Sequence, residues 1–171
     1  MMFDDKVKQE IDHWIAKYPS DQKRSAVVAA LLIAQEKNGG WLSESVMDEV
    51  AQYLELARIE VYEVATFYDM FELKPVGQHK IAICTNISCM LRGAQDIADA
   101  VKTRLGIDFN QTTKDGQFFL RETECMGACV GAPMCQIDDK HYHERLTPEA
   151  MVVLIDSLDR HKRRAGDDNA H

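Results

Sequence analysis

Cysteine is the residue type in this chain with the clearest capacity for chemistry. Four of the five cysteines fall in two close pairs. Cys84-Thr85-Asn86-Ile87-Ser88-Cys89 is a C-x4-C segment, and after thirty-five intervening residues Cys125-Met126-Gly127-Ala128-Cys129 is C-x3-C. A fold that brings the pairs together makes a cage of four thiolates, and three chemistries compete for it. A thiol–disulfide oxidoreductase wants two cysteines separated by two residues at a helix start, where the thiol pKa falls; neither pair has that spacing. Structural zinc accepts four thiolates at spacings of two to four residues, so ligand count allows it. Such zinc, however, staples domains too small to fold unaided, and here each half of the chain has apolar residues for a core of its own. A [2Fe–2S] cluster takes four cysteine thiolates, two per iron, and two separated pairs meet that demand directly. The plant-type spacing C-x4-C-x2-C is absent. The residues favour a [2Fe–2S] electron carrier, and a zinc-stabilised interaction module without a redox role is the alternative.

An anionic cluster needs hydrogen-bond donors around its sulfurs. Gly93, Gly127 and Gly131 allow close backbone approach. The N–H groups around Gly127, Ala128 and Gly131, with the helix start near Ser88, are the expected donors. Cys135 lies outside both pairs and alternates with Met134 and Gln136, so a buried small hydrophobe is expected there. His141 and His143 are read as surface histidines, because four cysteines already complete the ligand set. Glu122 and Glu124 precede Cys125 without a nucleophile, base or substrate pocket, and no catalytic residue is assigned. No G-x-G-x-x-G, P-loop or flavin signature is present, so the chain is not expected to bind NADH or FMN by itself.

The elements that position the cysteines follow from periodicity. Val7, Ile11, Trp14, Ile15 and Tyr18 fall on one helix face and predict a helix over 7–18. A second helix over 24–38 is apolar on most sides and central, ended by Gly39-Gly40. Ser43 caps a third helix through 56, and a fourth runs over 60–71. These four form a small helical bundle, 1–74. Leu73 to Gly77 breaks the pattern and marks a boundary. Residues 80–84 alternate like a strand, and 88–105 read as one helix with Leu91, Ala94, Ile97, Ala98, Val101 and Leu105 on its inner face, stopped by Gly106. Strands are expected over 118–122 and 133–137, with 140–143 pairing across the Asp138-Asp139 turn. Thr147-Pro148-Glu149 starts a last helix, to about 160. The fold expected is therefore α+β in two parts: the bundle, then a thioredoxin-like α/β domain over 75–161, then a polar tail, 162–171. The stripe Val64, Phe67, Tyr68, Phe71 is expected to pack between the domains, with part of it a candidate partner interface.

Formal net charge is −8 with no basic cluster in the folded part, which argues against nucleic acid as the partner. The longest apolar run, 26–34, is far too short to span a bilayer, so no membrane insertion is expected. The acidic start Met1-Met2-Phe3-Asp4-Asp5 lacks the marks of a signal or transit peptide, so a cytoplasmic setting is expected. In a reducing compartment, paired cysteines are metal ligands or redox groups more often than disulfides.

Further stretches accompany the cysteine motif: Leu31-Leu32-Ile33-Ala34-Gln35 through Gly40-Trp41, Val61 to Tyr68, Pro75-Val76-Gly77, Gly127 to Met134, and Leu146-Thr147-Pro148-Glu149. With them the sequence resembles, over nearly its whole length, the 24 kDa-type thioredoxin-like [2Fe–2S] subunits of respiratory NADH–quinone oxidoreductase (complex I). The resemblance implies one [2Fe–2S] cluster, with Cys84 and Cys89 on one iron and Cys125 and Cys129 on the other. It also implies electron transfer in the NADH-oxidising arm, beside an FMN- and NADH-binding flavoprotein subunit and other peripheral-arm iron–sulfur subunits. The complex would hold the chain at the inner face of the cell membrane, with no activity from the chain alone. The departures are Cys135, where an apolar residue is common, and Met126, where Leu is usual. The small subunits of NAD-linked hydrogenases and formate dehydrogenases share the cysteine spacing and are the nearest alternative. The runs Asn86-Ile87-Ser88 and Ala132-Pro133-Met134 look more like the respiratory form.

Overall fold

A computed structural model describes residues 3–167. The chain divides into two compact units, one ending at Val76 and the other starting at Gly77.

The first unit is helical. Helix α1, Asp5–Ile15, starts where the Asp4 carboxylate accepts the Val7 N–H at 2.8 Å, an N-cap that satisfies an otherwise orphaned donor. It buries Val7 and Ile11. The helix ends three residues sooner than its apolar pattern suggests. Tyr18 therefore leaves the inner face, and Trp14 is 38% exposed with the Lys17 ammonium 3.5 Å over its ring. A single 3₁₀ turn, Lys23–Ala26, leads into α2, Val27–Lys37. Ala30, Leu31 and Ala34 there have no solvent exposure, as a central helix requires. Gln35 is buried, and both ends of its amide are used: Nε2 donates to the Met70 carbonyl at 3.1 Å and Oε1 accepts from Glu72 N–H at 2.7 Å. That offsets the desolvation a buried amide otherwise costs. Helix α3, Glu44–Leu54, is capped by Ser43 Oγ as expected. Helix α4, Arg58–Phe67, is tied at its start by Glu60 accepting from Ala57 N–H at 3.0 Å. It stops four residues before the expected end. Phe71 then turns into the helical core, while Phe67 is 80% exposed, so the four-residue stripe does not pack as one face.

The second unit is a five-stranded sheet in the order β2-β3-β1-β4-β5 with three helices. Its strands are β1 (His79–Cys84), β2 (Gln111–Thr112), β3 (Phe118–Thr123), β4 (Cys135–Ile137) and β5 (His141–His143). β1 pairs parallel with β3; the other pairings are antiparallel. β1 is buried continuously from Lys80 to Cys84 rather than alternately, because a central strand is covered on both faces. β2, only two residues long, carries too little pattern to be foreseen. The expected single helix over 88–105 is two: α5, Ile87–Met90, and α6, Ala94–Leu105. Gly93, at φ 95°, makes the break and turns Leu91 outward to 76% exposure. Helix α7, Pro148–Asp167, is capped by Thr147 Oγ1, which accepts from Ala150 N–H at 3.2 Å. It runs past the end expected near 160 and into the segment read as a polar tail; 168–171 lie outside the described residues. Arg104 on α6 pairs with Asp156 on α7 at 2.6 Å. The main core joins Ile81, Ile83 and Leu120 of the sheet to Ile97, Val101, Met151 and Ile155 of these helices.

Asp138 and Asp139, both at positive φ, begin the three-residue turn, 138–140, between β4 and β5. Asp138 accepts from Lys80 N–H and meets His79 Nδ1, both at 2.9 Å. The nearly buried Lys80 ammonium reaches Asp139 at 2.6 Å. The hairpin is thereby locked to the start of β1. Gly77 leads into that strand, and a Cβ there would sit 2.5 Å from the Phe118 carbonyl carbon and 2.7 Å from Phe119 N, both backbone atoms. Backbone cannot swing aside as a side chain can. Gly77→Ala is expected to cost about 1–3 kcal/mol of stability, as overpacking does. Urea unfolding of the two proteins measures it, and equal midpoints would count against the close approach.

Candidate metal centre

The thiol pairs meet because parallel strands end on the same edge. Cys84 is the last residue of β1 and stands in register with Thr123, the last of β3. Both chains leave the sheet there, and Thr85 N–H donates to the Thr123 carbonyl at 3.1 Å. Beyond Cys84, Asn86 caps α5 by accepting Ile87 N–H at 2.8 Å, and Cys89 lies on that short helix. Beyond Thr123, the loop carries Cys125 and turns at Gly127, φ 83°. Cys129 opens a single 3₁₀ turn, Cys129–Gly131. Side chains tie the two segments: Thr85 Oγ1 donates to Glu122 at 2.9 Å and Asn86 Nδ2 to Glu124 at 2.5 Å. The Tyr142 hydroxyl on β5 donates to the Met126 carbonyl at 3.0 Å and holds the loop from the other side.

Within this frame the pairs differ. Cys84 and Cys89 are buried with Ala94, Ala132 and Met134, whereas Cys125 and Cys129 are exposed. The Cys125 and Cys129 sulfurs are 3.3 Å apart. Burial first, then the neighbouring Cys84, pushes the Cys89 thiol up to about 11, opposed by a hydrogen bond with the Met134 backbone. Cys125 is lowered, chiefly by the Gly127 N–H, which donates to its sulfur at 3.4 Å. Cys129 is raised because it shares a proton with Cys125, with the Ser88 hydroxyl acting in the opposite sense. Cys129 lies close enough to Cys89, and Cys84 close enough to Cys129, for charge on one pair to bear on the other, so the two pairs face each other. Among the described residues no three His, Cys, Asp or Glu side chains are set to close on a single metal ion. The thiols come two and two.

Some expected donors go elsewhere. Gly127 N–H reaches a sulfur, but Gly131 N–H donates to the Ala128 carbonyl at 3.0 Å. A Cβ at Gly131 would overlap the Glu144 carboxylate, so that glycine makes room for a side chain. Thr85, Asn86 and Tyr142 were missed as positioning residues. Only Asn86 carried a signal, an Asx cap before a short helix. Cys135 is fully buried in the main core, 3.7 Å from the Met151 sulfur, and burial pushes its thiol up to about 12. His141 is exposed and His143 half-buried.

Residues 11–159 match the family of thioredoxin-like [2Fe–2S] ferredoxins. The chain belongs to this family. Among the family's curated members, the chain is 49% identical over 156 residues to an NADH-quinone oxidoreductase subunit of Rickettsia bellii (strain RML369-C), covering 91% of this chain and 93% of that one. It is 47% identical over 154 residues to the like-named protein of Rickettsia felis (strain ATCC VR-1525 / URRWXCal2), covering 90% and 92%. A crystal structure of an NAD+-reducing [NiFe]-hydrogenase in the H2-reduced state shares the fold at TM-score 0.68 and 22% identity. That match covers 78% of this chain and 22% of the hydrogenase chain, and at such identity it speaks for the fold alone. The two-part α+β reading, a helical part followed by a thioredoxin-like ferredoxin domain, is the architecture of this family member.

Thiol reactivity follows thiolate character and exposure. In the cluster-free folded family member, iodoacetamide near neutral pH is expected to label Cys125 first, Cys129 more slowly, and Cys89 and Cys135 only after unfolding. Mass mapping of labelled peptides reads the order. Early labelling of Cys135 would contradict its placement.

Proposed function

We propose that this chain is the electron-carrying thioredoxin-like subunit of an NADH–quinone oxidoreductase, with Cys84, Cys89, Cys125 and Cys129 holding one [2Fe–2S] cluster. The observation that carries the reading is the two-and-two set of thiols at the shared end of β1 and β3, one pair packed beside the strand end and the other on the loop that leaves β3. The donor set fits: four sulfurs, two per iron. When bound, such a cluster accepts and passes on single electrons. The chain's own part is to hold the sulfurs and set their surroundings. The buried pair anchors the site, Gly127 N–H supports the charge on Cys125, and the exposed pair leaves one side open.

Exposed apolar residues accompany both cysteine segments. Ile87, Leu91 and Val130 lie in the two cysteine segments or just beyond them and are 65%, 76% and 88% exposed. Exposed apolar residues beside a redox site suit docking on another protein. The partner proposed is the FMN- and NADH-binding flavoprotein subunit of the same complex, in its NADH-oxidising arm, with other iron–sulfur subunits beyond it. Hydride transfer delivers two electrons together, and a flavin can split the pair for a one-electron acceptor. Among the described residues no helix is long and apolar enough to cross a membrane. The proposed setting is cytoplasmic, at the membrane's inner face through the complex. The helical unit, about 1–74, has no ligand-type cluster of residues and is proposed as a docking element, beside the 75–161 cluster domain.

Two experiments test this. Ser in place of Cys84, Cys89, Cys125 or Cys129 is expected to abolish or severely reduce iron and acid-labile sulfide per chain, while Cys135→Ser keeps both. The Cys135 variant is expected to lose about 1–3 kcal/mol of stability from its buried hydroxyl. A full cluster in Cys129→Ser beside none in Cys135→Ser would overturn the ligand set. Separately, dithionite is expected to bleach the visible absorbance of the loaded chain, and NADH is not unless the flavoprotein is added. Bleaching by NADH alone would mean the chain carries its own nicotinamide chemistry.

A further inference from the structure

Glu122 and Glu124 immediately precede the exposed thiol pair, and each carboxylate is held by a side chain from the other cysteine segment. Thr85 Oγ1 donates to Glu122 Oε1 at 2.9 Å, and Asn86 Nδ2 donates to Glu124 Oε2 at 2.5 Å. Thr85 and Asn86 directly follow Cys84, so these bonds join the loops that carry the two pairs. Glu122 still belongs to β3, whereas Glu124 lies past its end, adjacent to Cys125. A lone carboxylate on an exposed loop would sample many positions. This one is tied to the residue that caps α5, so its charge is fixed beside the site.

We propose that Glu124, held in place by Asn86, lowers the reduction potential of the site by placing a fixed negative charge next to Cys125. The inference rests on the four-cysteine ligation proposed above. Reduction adds one negative charge to the site, and a nearby carboxylate makes that addition less favourable. Glu124 is solvent-exposed, so its effect is screened by salt, with a Debye length of about 8 Å at physiological ionic strength. The Asn86 bond is a positioning contact, because it holds the charge without touching a sulfur.

The test is a dye-mediated redox titration of the full-length, cluster-loaded chain. Glu124→Gln removes the charge, but its amide oxygen still accepts from Asn86. At low ionic strength this variant is expected to shift the reduction equilibrium about three- to tenfold toward the reduced form. Tenfold corresponds to about 59 mV for a one-electron couple. The gap from wild type is expected to shrink as salt rises, which a purely structural effect would not do. Glu124→Asp, which keeps the charge, is expected to stay near wild type. An unchanged potential in a fully loaded Glu124→Gln protein would overturn the proposal. So would a shift indifferent to salt, or a Glu124→Gln chain that holds no cluster, since the carboxylate would then serve assembly. If wild-type protein itself binds no iron and sulfide, the ligation reading fails first, and the two failures are thereby distinguished.

Discussion

The parallel pairing of β1 with β3 is the constraint on which the candidate centre depends. Parallel strands cannot be joined by a tight turn; the chain must cross back over the sheet, usually through a helix. Here that crossover runs through α5, α6 and the short β2, and most of it, together with β3 itself, makes up the thirty-five residues between the cysteine pairs. Parallel strands also finish at the same edge, so whatever follows each one emerges side by side. Cys84 closes β1 opposite Thr123 of β3, and two residues later comes Cys125. Two pairs remote in sequence thus become neighbours through backbone register, before any side chain makes a choice.

The register places the pairs on opposite sides of a burial gradient. Cys84 and Cys89 lie under Ala94, Ala132 and Met134, while Cys125 and Cys129 sit on a surface loop. Full burial of all four sulfurs would make negative charge at the site costly. Full exposure would leave the loops free to move. The intermediate arrangement fixes one half by packing. The other half is held by directed contacts, with Tyr142 on the Met126 carbonyl, Gly127 N–H on Cys125, and Asn86 and Thr85 on the glutamates. Polar ties at a solvent-facing edge constrain geometry without removing the site from water.

What could be read from the sequence was whatever depends on local chemistry. The caps at Ser43 and Thr147, the stop at Gly106 and the Asp138-Asp139 turn each follow from one or two residues, and they stand where expected. The four-thiol spacing belonged to the same class of signal. Features set by tertiary context were not legible. Apolar periodicity carried Leu91 into a helix face, yet Gly93 breaks the helix and turns it to solvent. An alternating reading of residues 80–84 missed that β1 is central and covered on both sides. Gly131 looked like a donor to sulfur, but its N–H closes a local turn, and its missing Cβ leaves space for Glu144. The Thr85–Glu122 and Asn86–Glu124 ties link residues 37 and 38 positions apart, which no local pattern encodes.

Strand parity explains why Cys135 packs into the main core while the other four thiols stand apart from it. Successive residues of a strand point to opposite faces, so a shift of one residue exchanges them. On β1, Ile81 and Ile83 enter the core made with α6 and α7, and Cys84 turns to the other face. Residues directly opposite in an antiparallel pair share a face. Cys135 is paired with Ile83, and it therefore joins that core, against Met151. Met134, one position earlier, lies with Cys84, and its carbonyl accepts the Cys84 N–H at 3.3 Å. A cysteine at 134 would have pointed toward the thiol group; at 135 it points away. The fifth cysteine is separated from the other four by the pleat of the sheet, with no chemical difference between the side chains required.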